Sequence, residues 1–318
     1  MGILKCPPNS LSKAIRINKI YDYFEQWLRS ESMQSLVNLT GGDYPVNQDF
    51  IPLFEYLYSY SRKWDFRSNS GNSQERWSIQ DGDEYALKSD KIISLAIELG
   101  LGESNDAVLS PTYIVPIGGA RMSNYTRCER AYQLFQNSSD SLKGIIALSG
   151  LRELNEIEMP FVETYAGNAK TEFDAMSSAF EAVFSLGEIH SDVYHVNDNP
   201  NLSWRNIVYK SQNQVIFASL AAPSLDPVRR ANSYDTFEYL LKNISLEKED
   251  VLAIVTSSIY IPFQLIRFLP IALEREINVE FVGGASGAFV NASNYCQEIK
   301  ATLDAMKFFM AQYPLDNL

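Results

Sequence analysis

A turn made of small residues is the first part of the sequence that could carry chemistry. Gly118, Gly119 and Ala120 precede Arg121 and follow a short apolar run, residues 113–117. Small residues let backbone N–H groups approach an anion, and the N-terminus of the helix expected next would add partial positive charge. The turn therefore indicates a site for a phosphate or carboxylate group. The competing interpretation is a tight turn before a helix, because the sequence has neither a Walker loop nor the three-glycine dinucleotide fingerprint here.

Arginines recur after the predicted strands and could neutralise the same anion. A planar guanidinium binds phosphate or carboxylate through two parallel hydrogen bonds. Together with the small and hydroxyl residues at strand ends, the residues expected to contact the ligand are Gly118, Gly119, Arg121, Arg127, Arg130, Ser149, Gly150, Arg152, Arg230, Asn232, Thr256, Ser257 and Ser258. The alternative role of the arginines is ion pairing with the many acidic residues.

Two carboxylates lie at the starts of predicted helices. Glu172 follows Thr171, and Asp235 comes three residues after Asn232. Thr171 with Asp174, and Asn232 with Asp235, have the spacing of capping boxes, which is the simpler interpretation of both segments. At the edge of a ligand crevice, Glu172 or Asp235 would instead bind a ribose hydroxyl or act as a general base.

Composition excludes several classes of protein. The 318 residues are 46% hydrophobic, and 39 acidic against 27 basic residues give a net charge of −12, which opposes binding to nucleic acid. The three cysteines are far apart, and His190 and His195 lack the spacing of a helical metal site, so no metal is predicted. The N-terminus does not resemble a signal peptide and no membrane span is expected, which favours a cytoplasmic protein.

The periodicity of apolar residues predicts the elements that must position these groups. Residues 1–106 form an N-terminal helical region, with apolar residues at helical spacing. Residues 107–318 form an α/β domain in which short apolar runs at 113–117, 144–148, 215–218, 251–255 and 279–282 alternate with helical patterns. Continuous apolar strands are typical of a mainly parallel, Rossmann-like sheet covered by helices on both faces. The segment 184–213 breaks this rhythm and is predicted to be an inserted, lid-like loop.

The order of these motifs resembles the YdcF/SanA/ElyC-type family of bacterial proteins. The resemblance covers residues 112–284 and depends on Gly118, Gly119, Arg127, Arg130, Ala131, Ser149, Gly150, Glu172, Met176, Asn232, Ser233, Asp235, Thr256 and Ser257. It implies a Rossmann-like fold that binds S-adenosylmethionine or a nucleotide-like ligand. The sequence departs from the family where a histidine and an arginine are expected, since Tyr260 and Phe263 stand there. Tyr260 is accordingly expected to contact the ligand without the family's histidine chemistry.

These observations predict a protein that binds a small anionic ligand at the carboxyl ends of its strands. The ligand would be S-adenosylmethionine or a nucleotide, and Glu172 or Asp235 would support group transfer or hydrolysis. The departures at Tyr260 and Phe263 favour the alternative, a binding or regulatory module without catalysis. A protein-interaction module, with the aromatic N-terminal helices as its surface, is a further alternative.

Overall fold

The structure is a computed structural model that describes residues 4–67, 78–103, 110–138, 140–212, 214–284 and 290–315. The chain divides into two compact units. The described parts of Met1–Asp106, Ser258–Glu274 and Ser286–Leu318 form the first unit, and those of Ala107–Ser257 and Arg275–Ala285 form the second. The predicted boundary at residue 106 lies outside the described residues, as does most of the polar loop expected at 67–74.

Eleven α-helices are named here, in chain order. They are α1 (Lys13–Leu28), α2 (Glu31–Leu39), α3 (Phe50–Tyr60), α4 (Asp83–Ala86), α5 (Ser89–Ala96), α6 (Ser123–Gln136), α7 (Met159–Val162), α8 (Glu172–Phe184), α9 (Ser233–Asn243), α10 (Ile261–Glu274) and α11 (Ala292–Gln312). No helix in the described ranges has the length and apolar character needed to cross a membrane.

The second unit is built on one sheet of seven strands. They are β1 (Tyr113–Pro116), β2 (Gly144–Gly150), β3 (Ile189–His195), β4 (Trp204–Gln212), β5 (Val215–Ala222), β6 (Val251–Ser257) and β7 (Asn278–Gly284). Their order across the sheet is β3-β4-β5-β2-β1-β6-β7. The neighbouring strands in the part β5-β2-β1-β6-β7 are all parallel. The pairs β3–β4 and β4–β5 are antiparallel. The prediction of an α/β protein with a mainly parallel sheet and an N-terminal helical region is therefore confirmed.

The segment predicted as a lid-like loop, 184–213, forms strands instead. Within its described part, β3 and β4 pair with each other and extend the sheet through β5. The sequence of β3 lacks the apolar run that predicts a buried strand, because β3 is an edge strand that is exposed along most of its length. Its charge Asp192 is paired with Arg205 of β4 at 2.7 Å. A charged pair on an edge strand discourages pairing with other chains.

Helices α6 and α8 cover one face of this sheet. Alternate strand residues, including Ile145 of β2 and Phe217 of β5, share an apolar cluster with Phe180 of α8. Because side chains alternate across a strand, the intervening residues such as Ile146 lie on the opposite face, where α9 packs against β5 and β2. The sheet thus has helices of the second unit on both of its faces.

The first unit is helical, and its core lies between α1, α5, α10 and α11 and their neighbours. Phe24 of α1 contacts Phe309 of α11, with ring centroids 5.5 Å apart. Trp27 is fully buried and its Nε1 donates to the carbonyl of Leu99 at 2.8 Å. After α5 the chain turns at Gly100, whose φ of 92° lies in the left-handed region that favours glycine.

Candidate functional site

The carboxyl ends of β1, β2 and β6 meet at one edge of the sheet. The N–H of Ile117 donates to the carbonyl of Val255 at 3.0 Å, and the N–H of Gly118 donates to that of Leu148 at 2.6 Å. The chain that leaves β1 is therefore held between its two neighbours. In open α/β sheets, ligands bind outside the carboxyl ends of the strands, at the point where the strand order reverses.

The two glycines of the turn are required by space. A Cβ on Gly118 would collide with Glu172 Oε1 and would lie 2.8 Å from Ser149 Cβ. A Cβ on Gly119 would lie 2.8 Å from Arg127 Nη1. The N–H groups of both glycines are already used inside the chain, because that of Gly119 donates to Asn124 Oδ1 at 2.8 Å. The prediction that these N–H groups cradle an anion is therefore wrong.

Glu172 is placed at this edge by the start of α8. Thr171 caps the helix by accepting the N–H of Asp174, and the Asp174 carboxylate accepts the N–H of Thr171 in return. This capping box confirms the structural interpretation of the segment and fixes Glu172 as the first helical residue. Its side chain then reaches back so that Oε1 contacts the turn at Gly118.

An ion-pair network orients the Glu172 carboxylate. Arg152 Nε donates to Glu172 Oε2 at 3.0 Å, and both Nη atoms donate to the Glu158 carboxylate at 2.7 and 2.8 Å. Burial alone would raise the pKa of Glu158, but hydrogen bonds from Arg152 and from the backbone of Asn155 hold that pKa below its ordinary value. Arg152 is thus neutralised by two carboxylates, and Glu172 keeps Oε1 on the side of Gly118.

Ser149 is the unusual group of this cluster. Its side chain is 3% exposed, and its Oγ has no hydrogen-bond partner among the residues that the structure describes. Its Cβ lies beside Gly118, next to the Glu172 carboxylate. A buried hydroxyl without a partner costs free energy, typically about 1–3 kcal/mol. A ligand group that bonded this hydroxyl would recover that cost.

Arg121 lies on the same turn. Its backbone is in the left-handed region, with φ of 54°, which is uncommon for a residue with a side chain. Tyr165 holds it there by donating its hydroxyl to the Arg121 carbonyl at 2.8 Å, and the guanidinium lies 4.6 Å from the centroid of the Phe161 ring. Burial lowers the pKa of Arg121, and the nearby Glu158 opposes this shift.

Arg127 is a buried residue whose side chain supports the turn. It is 2% exposed, and its guanidinium donates to the carbonyls of Ile117 and Gly118 and to Ser257 Oγ. The donors that were predicted to contact the ligand therefore hold the ends of β1 and β6 together. Arg130, one turn later, donates to Gln133 at 3.0 Å on the exposed side of α6.

Asp235 belongs to a separate cluster at the start of α9. Asn232 and Asp235 form the predicted capping box, and the Asp235 carboxylate also pairs with Arg229. Burial would raise the pKa of Asp235, but Arg229 and the N–H of Asn232 hold it below its ordinary value. These contacts favour the capping role over the predicted catalytic one. The Arg230 side chain is exposed.

We expect replacement of Asp235 by asparagine to lower the free energy of unfolding at pH 7 by about 1–2 kcal/mol, since charge-assisted hydrogen bonds would be lost. Because the folded-state pKa is depressed, this contribution is present above the unfolded pKa of Asp, about 3.9, and disappears as the pH falls through the folded value. Urea unfolding of both proteins at pH 7 and near pH 3 measures it.

The matched control is Asp226→Asn, which alters a half-exposed partner of the same arginine, 3.8 Å away. Its effect at pH 7 should be less than about 0.5 kcal/mol, as for other exposed pairs. An Asp235→Asn deficit of equal size at both pH values would contradict the assignment.

The remaining predicted residues do not join the Gly118 cluster. Thr256 is fully buried, and its Oγ1 has no hydrogen-bond partner in the described part of the chain. Because strand residues alternate, it lies on the face opposite to Ser257. Ser258 and Tyr260 form a short 3₁₀ turn that belongs to the first unit, where Ser258 is buried and Tyr260 is half-buried. Gly150, at the end of β2, has open space around it.

The two histidines lie on β3. His195 stacks on Trp204 of β4, with ring centroids 5.5 Å apart. The described residues contain no group of three or more His, Cys, Asp or Glu side chains able to hold a metal ion.

Sequence reasoning missed Glu158, which holds Arg152. The stretch Glu153 to Glu158 has three glutamates and looks like a solvent-exposed face, yet Glu158 is almost completely buried. The one local signal is Asn155, whose side chain accepts the N–H of Glu158 and begins the turn into α7. Asn124 was also missed, although its Oδ1 accepts a hydrogen bond from the N–H of Gly119.

Comparison with known proteins places the chain near an uncharacterized mycobacterial group. The model of the Rv3785 N-terminal domain family matches residues 13–100. The chain is 28% identical to the uncharacterized protein Rv3785 of Mycobacterium tuberculosis over 302 residues, which covers 87% of this chain and 84% of that protein. The uncharacterized protein Mb3814 of Mycobacterium bovis is similar to the same extent. No solved structure matches.

These comparisons correct the resemblance to the YdcF/SanA/ElyC-type family, which is wrong. The family model and the relatives all point to Rv3785-type proteins. The shared motifs were short turns with two glycines, serine–glycine strand ends and helix caps. Such features recur in α/β sheets because strand ends and helix starts have common geometric needs.

Proposed function

We propose that the second unit is a Rossmann-like domain that binds a small metabolite carrying a ribose-like hydroxyl and one anionic group, as a nucleotide does through its phosphate and S-adenosylmethionine does through its carboxylate. The ligand would lie at the carboxyl ends of β1 and β2. The observation that carries the proposal is the buried Ser149 hydroxyl, which lacks a partner among the described residues and adjoins Gly118.

The groups around Ser149 suit a ribose-like hydroxyl. Glu172 Oε2 is held by Arg152, so Oε1 is the oxygen oriented toward Gly118. A carboxylate oxygen accepts a strong hydrogen bond from a hydroxyl group, and the serine hydroxyl can donate or accept a hydrogen bond in the same contact. The absence of a Cβ at Gly118 leaves room for the Glu172 carboxylate to lie beside Ser149 on the turn.

The negative part of the ligand needs a cation, and we assign this role to Arg121 from its position. Arg121 lies on the turn itself, at the N-terminus of α6, where the helix dipole also favours an anion. This arrangement supports one compact anionic group rather than a chain of phosphates.

The same geometry favours binding over nucleophilic catalysis by Ser149. An activated serine is normally hydrogen-bonded to a general base. Within the described residues the Ser149 hydroxyl makes no such bond. The proposal therefore assigns Ser149 and Glu172 to recognition of the ligand, and Arg152 and Glu158 to the orientation of Glu172.

A thermal-shift panel tests the proposal. The panel contains S-adenosylmethionine, its demethylated product, nucleoside mono-, di- and triphosphates and sugar nucleotides. A ligand at 100 times its Kd stabilises the folded state by about 2.7 kcal/mol, which raises the Tm by several degrees. A flat panel for protein shown to be folded would contradict the proposal.

Two variants then locate the site for any ligand that binds. Ser149→Ala and Glu172→Gln should each weaken binding about tenfold or more, the usual effect of losing a buried or charge-assisted hydrogen bond. Ser149→Ala should keep or raise the free energy of unfolding, by up to about 1–3 kcal/mol, because it removes a buried hydroxyl that makes no hydrogen bond within the described chain. Ser177→Ala, at a buried serine further along α8, is the matched control. Unchanged affinity in both site variants would rule out this location.

A further inference from the structure

A cavity opens on the sheet face opposite to α6 and α8. Its volume is about 290 Å³. Its apolar wall consists of Ile146, Val208, Ile216, Ala218, Leu220 and Ile244. Ile146, Ala218 and Leu220 are buried in the floor, whereas Ile216 is 46% exposed and marks the opening to solvent.

The Tyr113 hydroxyl and the Asn206 amide of this cavity already have partners within the chain. The Tyr113 hydroxyl donates to the carbonyl of Ser245 at 3.1 Å. Asn206 Nδ2 donates to Asn243 Oδ1 at 3.2 Å, and Asn206 Oδ1 accepts the Tyr239 hydroxyl at 3.0 Å. The lining residues include no Asp, Glu, Lys, Arg or His. An ion that entered would lose its hydration without gaining a counter-charge, which is costly.

The size of the cavity limits the molecule that fits. An apolar cavity of about 150 Å³ holds one benzene ring, so this volume corresponds to roughly two such rings or a medium-length hydrocarbon chain. The wall is aliphatic except for Tyr113. Asn243 and Ser245 are exposed at the rim, where a hydroxyl or amide could be hydrogen-bonded.

We infer that this pocket binds a neutral, mainly aliphatic molecule of medium length with a single hydroxyl or amide at its polar end. The hydrocarbon would cover Ala218 and Leu220, and the polar end would lie at Asn243 and Ser245. The inference is independent of the proposed function, because Ser149 and Glu172 lie on the other face of the sheet.

A titration with octan-1-ol, followed by NMR of protein labelled at its Ile, Leu and Val methyl groups, tests the inference. We expect saturable shifts at the methyl groups of Ile146, Leu220 and Ile244. Octanoate and octylammonium, of equal chain length, should bind about tenfold more weakly because the pocket lacks a counter-charge. No saturable shift, or equal shifts at exposed methyl groups such as those of Val228, would overturn it.

Two variants separate the pocket from general hydrophobic adsorption. Ala218→Leu fills the floor and should raise the Kd for octan-1-ol about tenfold or more, provided its methyl spectrum remains dispersed. If that variant does not fold, Ile216→Lys at the opening decides, since this residue is half-exposed. Val228→Lys, at a residue 90% exposed and outside the cavity, is the control and should bind normally. Unchanged affinity in a folded pocket variant would refute the inference.

Discussion

Replacement of Arg127 by alanine should lower the free energy of unfolding by about 3–4 kcal/mol. The guanidinium is buried and donates to the carbonyls of Ile117 and Gly118 and to Ser257 Oγ. Its removal takes the donor from two buried acceptors, the Ile117 carbonyl and Ser257 Oγ, and from the half-buried Gly118 carbonyl, and it opens a cavity beside them. Part of the loss is offset because a desolvated charge is also removed.

Chemical denaturation measures this effect, with Glu129→Ala as the control. Glu129 is on the same helix, and its side chain is exposed. The control should lose less than about 1 kcal/mol, as is usual for surface substitutions. Similar losses in the two variants would show that Arg127 does not hold the strand ends together.

Replacement of Gly118 by alanine should abolish ligand binding and lower the free energy of unfolding by about 1–3 kcal/mol, the usual cost of overpacking. The new methyl group would collide with Glu172 Oε1 and would also lie 3.2 Å from Ser149 Cα, which is backbone and cannot rotate away. The Glu172 carboxylate must therefore move away from the turn, and the turn or the end of β2 at Ser149 must also shift. Affinity for any ligand found in the thermal-shift panel and the urea midpoint are the two measurements.

Gly150→Ala is the matched control for stability. It is also a glycine at a strand end, but nothing lies within 4 Å of its Cβ position. Its stability should be unchanged or up to about 1 kcal/mol higher, because alanine restricts the unfolded chain. If Gly118→Ala were as stable as Gly150→Ala and still bound ligand, the close packing of Glu172 on the turn would be refuted.

Much of the sheet was predictable from the sequence. The apolar runs at 113–117, 144–148, 215–218, 251–255 and 279–282 all fall on observed strands, because buried parallel strands have continuous apolar sequences. The capping boxes at Thr171 and Asn232 were also correct, since capping is a local interaction over three residues.

Other features depend on contacts that sequence periodicity does not contain. The edge strand β3 reads Ile-His-Ser-Asp-Val-Tyr-His, which lacks the apolar alternation of a half-buried strand. The grouping of α10 and α11 with the N-terminal helices depends on packing between distant parts of the chain.

Part of the clustering of the candidate residues was predictable from the sequence, but their contacts were not. Gly118, Ser149, Arg152 and Glu172 do converge, because parallel strands end at one edge. The role of Gly118 differs from the predicted one, since the packing of Glu172 and Ser149 determines it. The neutralisation of Arg152 was not predictable, because its partner Glu158 lies in a stretch that resembles solvent-exposed sequence.

The position of Gly118 between β2 and β6 links the site to the order in which the chain can fold. β1 pairs in parallel with β6, and Tyr113 lies opposite Leu252, 139 residues later in the sequence. Such distant pairing is slow to form. The turn after β1 is held by carbonyls of both Leu148 and Val255. A nascent chain that has not yet delivered β6 therefore lacks half of the support for this turn. Ligand affinity at the turn should consequently report on completed folding of the sheet.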